Sequence, residues 1–246
     1  MGPRGAAGSR GGVTSRSDPE QPALVSWASL RWIVRHRAWT PFYLVRYWRM
    51  LKVRVLQPHI VLRGLVFLGR DVRLEARPGM GRLEIGRFVH IGDGNRIRCH
   101  EGSLRIGDKA VFGASNTVNC YLDIEFGESV LLSDWIYVCD FDHRYADVQL
   151  PIKDQGIVKT PVRIGPETWI GTKVTILRGA TVGRGCVLGA HAVVRGDVPD
   201  HAVAVGAPAR VVRDRLADYE AAAADRAALA DIARKTAAAA EAVRGM

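Results

Sequence analysis

The sequence predicts an all-β main domain, a parallel β-helix, flanked by an N-terminal helical segment and a C-terminal α-helix. Three observations carry that expectation. A large apolar residue recurs at every sixth position, and the position after it is often Gly. The rhythm breaks once, at Val138-Cys139-Asp140-Phe141-Asp142-His143, resumes near Pro161 and holds through Val194. A hexapeptide period is the mark of a parallel β-helix: three six-residue flats make a coil of about 18 residues, and each inward residue stacks on its equivalent in the next coil. An apolar content of 48% is ample for such a core.

Residues 1–22 hold Gly, Arg, Ser and Pro with too little apolar side chain to bury, so they read as a disordered tail. They contain no apolar stretch of the kind a secretory signal needs. Residues 23–58 are a basic aromatic helical segment. Ser26 or Ser29 caps a first helix through about Arg37, and Thr40-Pro41 starts a second that runs to about Arg54. In the second, Leu44, Val45, Trp48, Leu51 and Val55 recur at helical spacing. Up to residue 63 the chain has eleven Lys or Arg against Asp18 and Glu20, which accounts for nine of its ten net positive charges. Two readings of the segment stay open. It is a cap with aromatics buried on the main domain and arginines in water, or an interfacial helix pair making peripheral contact with a membrane through Trp and Arg. No nucleic-acid-binding motif accompanies the charge, so nucleic acid is not an expected partner.

Residues 59–213 form the β-helix. Between Ile60 and Leu83 the chain reads only as short extended pieces. The repeat then runs through Ile85, Ile91 and Ile97; Ile106, Phe112 and Val118; Phe126, Leu132 and Val138. After an excursion loop at 142–160 it continues through Ile164, Ile170, Ile176, Val182, Leu188 and Val194. Gly at the following position suits a corner where a Cβ would clash. The spacings Ile85 to Ile106 and Ile106 to Phe126 exceed the repeat by about three and two residues. Gly206-Ala207-Pro208-Ala209-Arg210 belongs to an extended closing segment. Residues 214–246 are Ala-rich and helix-favouring, with Leu216, Tyr219, Leu229 and Ile232 as sparse anchors for docking or for an oligomer contact.

The chemistry-bearing residues are few. Cys99, Cys120, Cys139 and Cys186 form no Cys-x-x-Cys pair and fit free thiols in a reducing compartment, the cytoplasm. No apolar run approaches the roughly 20 residues of a spanning helix. His90, His100, His191 and His201 lack metal-ligand spacing, so no metal is expected. His143 stands where the scaffold opens. It is a candidate for chemistry, beside the plainer reading of a solvated loop residue.

Four marks now come together. Phe126-Gly127-Glu128 is followed by Val138 and His143, then by an excursion, then by Ile164-Gly165-x-x-x-Trp169-Ile170-Gly171, then by Gly206-x-Pro208-x-Arg210. In this order residues 85–213 resemble the left-handed β-helix hexapeptide-repeat acyltransferases, most closely the maltose, galactoside and xenobiotic O-acetyltransferase group. The basic aromatic N-terminus and Cys139-Asp140-Phe141-Asp142-His143-Arg144 are similar to actinobacterial members that act on methylglucose-type polysaccharides. The resemblance implies a left-handed coil and a homotrimer with active sites between subunits. It also implies direct transfer of an acyl group, acetyl or succinyl, from acyl-CoA to a carbohydrate hydroxyl.

The resemblance makes His143 the general base, a role that neutral imidazole suits at pH 7. It assigns oxyanion and acyl-CoA contacts to Thr172 and Gly171, with a Ser-like hydroxyl retained at Thr172. Trp169 and Ala190 line the pantetheine arm, and Arg210 and Arg213 meet the phosphates. For Trp169 the alternative is packing against the excursion loop. The chain departs from the family in two places. Arg195-Gly196-Asp197 replaces a Thr-Lys pair before Asp, so Arg195 takes over as the cofactor-binding cation. The family's acceptor-binding Asn falls on Gly113, which leaves Asn116, Asn119, Asp140 and Asp142 as acceptor-site candidates. Two other readings compete. One is a zinc-dependent hydratase of the same coil type. The other is a non-catalytic β-helix scaffold with a membrane- or anion-binding N-terminal arm. Acyl transfer through Cys139 is a minor variant of the enzyme reading.

Overall fold

The computed structural model describes residues 26–244, with side chains through residue 230. The tail expected at 1–22 and the anchor expected at Ile232 lie outside the described residues and side chains. Three parallel sheets form the walls of a β-helix. Sheet A starts with Val61–Leu62 and ends with Asp197–Val198. Sheet B runs from Val66–Leu68 to Ala202–Val205, where Arg210–Asp214 adds an antiparallel edge. Sheet C runs from Arg73–Ala76 to Val193–Val194.

The sixth-position residues stack in three interior rows. Leu62, Ile85, Ile106, Phe126, Ile164 and Val182 are in register in sheet A. Ile91, Phe112, Leu132, Ile170 and Leu188 do the same in sheet B. Ile97, Val118, Val138, Ile176 and Val194 do so in sheet C. All of them are buried. The coil begins one turn before the visible rhythm, because Leu62 pairs with Ile85 across a long first turn that hides the period.

The repeat glycines serve close approach. A Cβ on Gly107 would meet Glu128 N at 2.6 Å, and one on Gly127 would meet Pro166 N at 2.5 Å. The left-handed corner residue is another one, often bulky: Phe88, Lys109, Trp135 and His191 all have φ near +60°. The corner between sheets B and C is held by side-chain caps. Asp93 accepts the Arg70 N–H at 2.8 Å, and Asp134 accepts the Ala114 N–H at 2.6 Å. Buried Asn95 donates to the Gly92 and Gly113 carbonyls.

Helix α1 (Trp27–Arg35) is capped by Ser26, whose hydroxyl accepts the Ser29 N–H at 3.2 Å. Helix α2 (Pro41–Leu56) starts at Thr40 with Pro at its first position. The pair covers the first coils: Trp32 stacks on Phe67 at 4.9 Å and on Phe88 at 5.5 Å. The inward face of α2 is Tyr43, Tyr47 and Met50. The stripe singled out by periodicity, Leu44, Val45, Trp48, Leu51 and Val55, points to solvent. Of the aromatics that the cap reading buries, Trp32, Tyr43 and Tyr47 pack on the coil, while Trp27, Trp39, Phe42 and Trp48 are exposed. Helix α3 (Arg215–Arg244) leaves the coil with Leu216, Tyr219 and Leu229 exposed, so these residues do not dock it on the protomer.

Candidate active site

The excursion is a β-hairpin. Phe141–His143 pairs antiparallel with Ile157–Lys159, and His143 lies opposite Ile157. Side-chain contacts tie it to the coil. The Arg178 Nε donates to Asp142 Oδ2 at 2.5 Å, and its Nη1 donates to Thr160 Oγ1 at 3.2 Å. Lys159 pairs with Glu101. The Phe141 ring packs edge-on against Tyr121, their centroids 4.5 Å apart. Gln155 closes the loop by donating to the carbonyls of Asp147 and Leu150. Between the hairpin and the coil lies a cleft of about 960 Å³, lined among others by Asp142, His143, Tyr145, Leu177, Arg178 and Arg195. The His143 side chain is exposed at this cleft. Arg195 makes no ion pair among the described residues.

A second constellation sits across sheet C from the first. Trp169 is half-exposed on the outer face of sheet B, its Nε1 donating to Ser133 Oγ at 3.4 Å. It is in register with Val187, Val203 and then Arg213, so one row carries both the expected pantetheine residue and one expected phosphate residue. Three inter-strand steps make that row about 14 Å long. Arg213 is paired with Asp218 at 2.8 Å, and exposed Arg210 donates to the carbonyl of its neighbour Ala209. Gly171, Thr172 and Ala190 occupy the corner beside this row, where His191 N–H donates to Thr172 O. From Thr172 the chain turns the corner at Lys173 and crosses sheet C at Thr175–Ile176 before it reaches Leu177 at the cleft edge. One protomer therefore brings His143, Asp142 and Arg195 together, and brings Trp169, Gly171, Thr172, Ala190 and the row to Arg213 together. It does not bring the two sets to each other.

At Thr172 the hydroxyl donates to the Asp134 carbonyl at 2.9 Å, so its proton is spent. In this arrangement the expected oxyanion hydroxyl is held by the protein's own carbonyl. The Gly171 N–H is spent as well, on Leu188 O at 2.8 Å. The Thr172 N–H has no acceptor among the described residues. The cause is local: where Asp93 and Asp134 cap the equivalent N–H of other coils, the next coil here offers Ala190.

Other candidates fall out of the site. Asp140 is fully buried, and its carboxylate accepts the N–H groups of Tyr121, Leu122 and Asp123, each at 2.8 Å. It caps the turn beneath the hairpin and cannot meet an acceptor. Asn116 is fully buried and accepts the Ile136 N–H at 2.8 Å. Asn119 bonds the Tyr137 hydroxyl at 3.4 Å on sheet C and does not line the cleft. Cys139 is buried, and burial pushes its thiol up, which keeps it protonated and unsuited to attack. Among the described residues no three His, Cys, Asp or Glu side chains converge as a metal site. Sequence reading missed Arg178. Register arithmetic finds it, since Val138 pairs with Ile176 and so sets Arg178 one coil from Asp140.

Comparison with known proteins agrees with this architecture. The family model "Bacterial transferase hexapeptide (six repeats)" matches residues 161–196. A Mycobacterium tuberculosis H37Rv protein, named "Probable acetyltransferase Rv3034c", is 62% identical over 225 residues, covering 90% of this chain and 75% of its own length. An Escherichia coli K12 protein, WbbJ, named for O-acetyl transfer in lipopolysaccharide biosynthesis, is 31% identical over 147 residues, covering 54% of this chain and 72% of its own. Among solved structures, AntD is an N-acyltransferase of Bacillus cereus, solved with dTDP and 3-hydroxybutyryl-CoA. It superposes with a TM-score of 0.53 at 18% identity, over 71% of this chain and 95% of its own. That likeness concerns the fold, the left-handed coil of the family. The enzyme reading prevails over the inert scaffold, and the chain belongs to the hexapeptide-repeat acyltransferase family.

Proposed function

We propose that this enzyme is a cytoplasmic homotrimer that moves an acyl group, acetyl or succinyl, directly from acyl-CoA to a hydroxyl of a carbohydrate, such as a glucan or methylglucose-type polysaccharide. One observation carries the reading. The base-bearing cleft lies at one edge of sheet C and the open Thr172 N–H, beside the row from Trp169 to Arg213 on sheet B, at the other, so copies of the chain packed side by side would bring the two together. The four cysteines are unpaired, which fits a reducing compartment. The sugar acceptor is supported by the name of the Escherichia coli relative.

In this reading neutral His143 accepts the proton of the acceptor hydroxyl as its oxygen attacks the thioester carbon. The carbonyl oxygen becomes an oxyanion and takes the Thr172 N–H of the neighbouring copy. The intermediate collapses, the C–S bond breaks, and the CoA thiolate recovers the proton from the imidazolium. Trp169 and Ala190 line the pantetheine arm, Arg210 and Arg213 face the phosphates, and Asp142 holds the hairpin through Arg178. Arg195, unpaired at the cleft, is the cation for a CoA phosphate or for an acidic acyl group.

The test is acyl transfer from acetyl-CoA and succinyl-CoA to a panel of glucans, read as mass gain on the sugar. His143→Ala is expected to keep CoA binding and oligomeric mass while turnover falls about a hundredfold or more. Unchanged turnover in that variant removes His143 from the mechanism.

A further inference from the structure

Helix α2 is apolar on two sides. Tyr43, Tyr47 and Met50 pack on the coil, Tyr43 and Tyr47 lying 5.6 and 5.8 Å from the Phe67 ring. On the opposite side Leu44, Trp48, Leu51 and Val55 are 44–67% exposed, at spacings of four, three and four residues. Helix α1 repeats the arrangement: Trp32 faces the coil, while Trp27 is 82% exposed beside exposed Leu30 and Val34. A surface helix normally turns its polar side outward, and one apolar all round needs a second apolar neighbour. The described residues of the chain supply none.

The two helices carry charge of one sign, and the coil carboxylate Asp93 acts on Arg46 alone of the cations named here. No Asp or Glu occurs between residues 21 and 70. Arg31, Arg35, Arg37 and Lys52 are exposed around the apolar stripes. Arg46 lies over the Phe42 ring at 3.6 Å, and Lys52 over Trp48 at 5.4 Å. Exposed Trp and Phe among cations, with no carboxylate on either helix, match the border between lipid headgroups and acyl chains. The cytoplasmic leaflet is anionic and attracts such a segment. A second copy meeting this face with its own would bring the same unpaired cations against it. No described helix is long and apolar enough to cross a membrane, so the pair would lie along the surface. We propose that the outer face of α1 and α2 docks the enzyme on an anionic lipid surface. The helices cover the first two coils, at Phe67 and Phe88, while the cleft lies beside Leu177 and Arg195 in later coils, so docking leaves it open.

The test uses the full chain with vesicles of phosphatidylcholine, with and without phosphatidylglycerol, followed by co-sedimentation and by quenching of Trp fluorescence with brominated acyl chains. Binding to the anionic vesicles is expected to be at least about tenfold tighter than to the neutral ones. Both W48S/L51S and R31E/R35E should lose at least about tenfold, with thermal stability retained because all four side chains are exposed. Failure of the wild type to bind, or equal binding to both vesicles, overturns the proposal. So does a drop in oligomeric mass of W48S/L51S in lipid-free buffer, since another copy would then be what covers the face. Neither readout involves acyl transfer, so this proposal and the glucan reading stand or fall separately.

Discussion

Asp140 and Asp142 are two residues apart and end in opposite surroundings. The first is fully buried and accepts three backbone N–H groups; the second reaches the cleft and accepts from Arg178. Asp140→Ala leaves three donors without an acceptor, each worth about 1–3 kcal/mol, so urea unfolding should report a loss of about 3 kcal/mol or more. His143→Ala, by contrast, should leave the urea midpoint in place, because that side chain is exposed. Ala190 yields a sharper prediction. Ala190→Asp would cap the Thr172 N–H as Asp134 caps Ala114, and would set a carboxylate where the proposed mechanism forms its oxyanion. Turnover should fall about a hundredfold or more, while stability is kept or rises. Little of this is legible in one sequence. His143 stands out because the hexad stops beside it. Asp140 looks identical to a loop acid until the register sets it under the turn at Tyr121. The openness of the Thr172 N–H depends on what the next coil carries 18 residues later.

At the scale of elements, periodicity identifies a face but not what the face meets. Leu44, Trp48, Leu51 and Val55 form a true helical stripe, yet the coil takes the opposite stripe, whose Tyr43, Tyr47 and Met50 fit the ring of Phe67. Propensity cannot rank two apolar faces; packing partners do. The hairpin was legible only as an interruption, because its anchors at Glu101, Tyr121 and Arg178 come from three other coils. Sheet A contributes a pH dependence. Burial alone would raise the carboxyl of Glu84, but hydrogen bonding and charge from Arg63, with the charge of Arg82, outweigh it and hold the group below its ordinary value near 4.5. A depressed folded value gives stability that is complete above the ordinary range and is lost as pH falls through the folded value. Glu84→Gln should therefore be less stable than wild type in urea at pH 7, and the gap should close as the pH drops below about 4.5.

At the scale of the whole molecule, the hexad told most of the fold, since a coil that repeats residue for residue writes its period into the chain. The six hits from Ile164 to Val194 correspond to stacked interior positions without a slip. The first coil was hidden because its extra residues break the period while the stacking of Leu62 on Ile85 persists. The division of the site was hidden for another reason. Sequence gives the order of residues along a coil, and only the closed coil puts Thr172 and His143 on opposite edges of sheet C. The central claim, a site shared between copies with the base from one and the oxyanion donor from the next, is tested most directly by subunit complementation. Co-expressed His143→Ala and Ala190→Asp chains carry different tags, and doubly tagged oligomers are assayed for acyl transfer to glucans. Each variant alone should be nearly inactive, and mixed trimers should recover about a third of the wild-type sites, because in either mixed composition one of the three interfaces unites an intact base edge with an intact Ala190 corner. Mixed trimers as inactive as either parent would contradict a shared site.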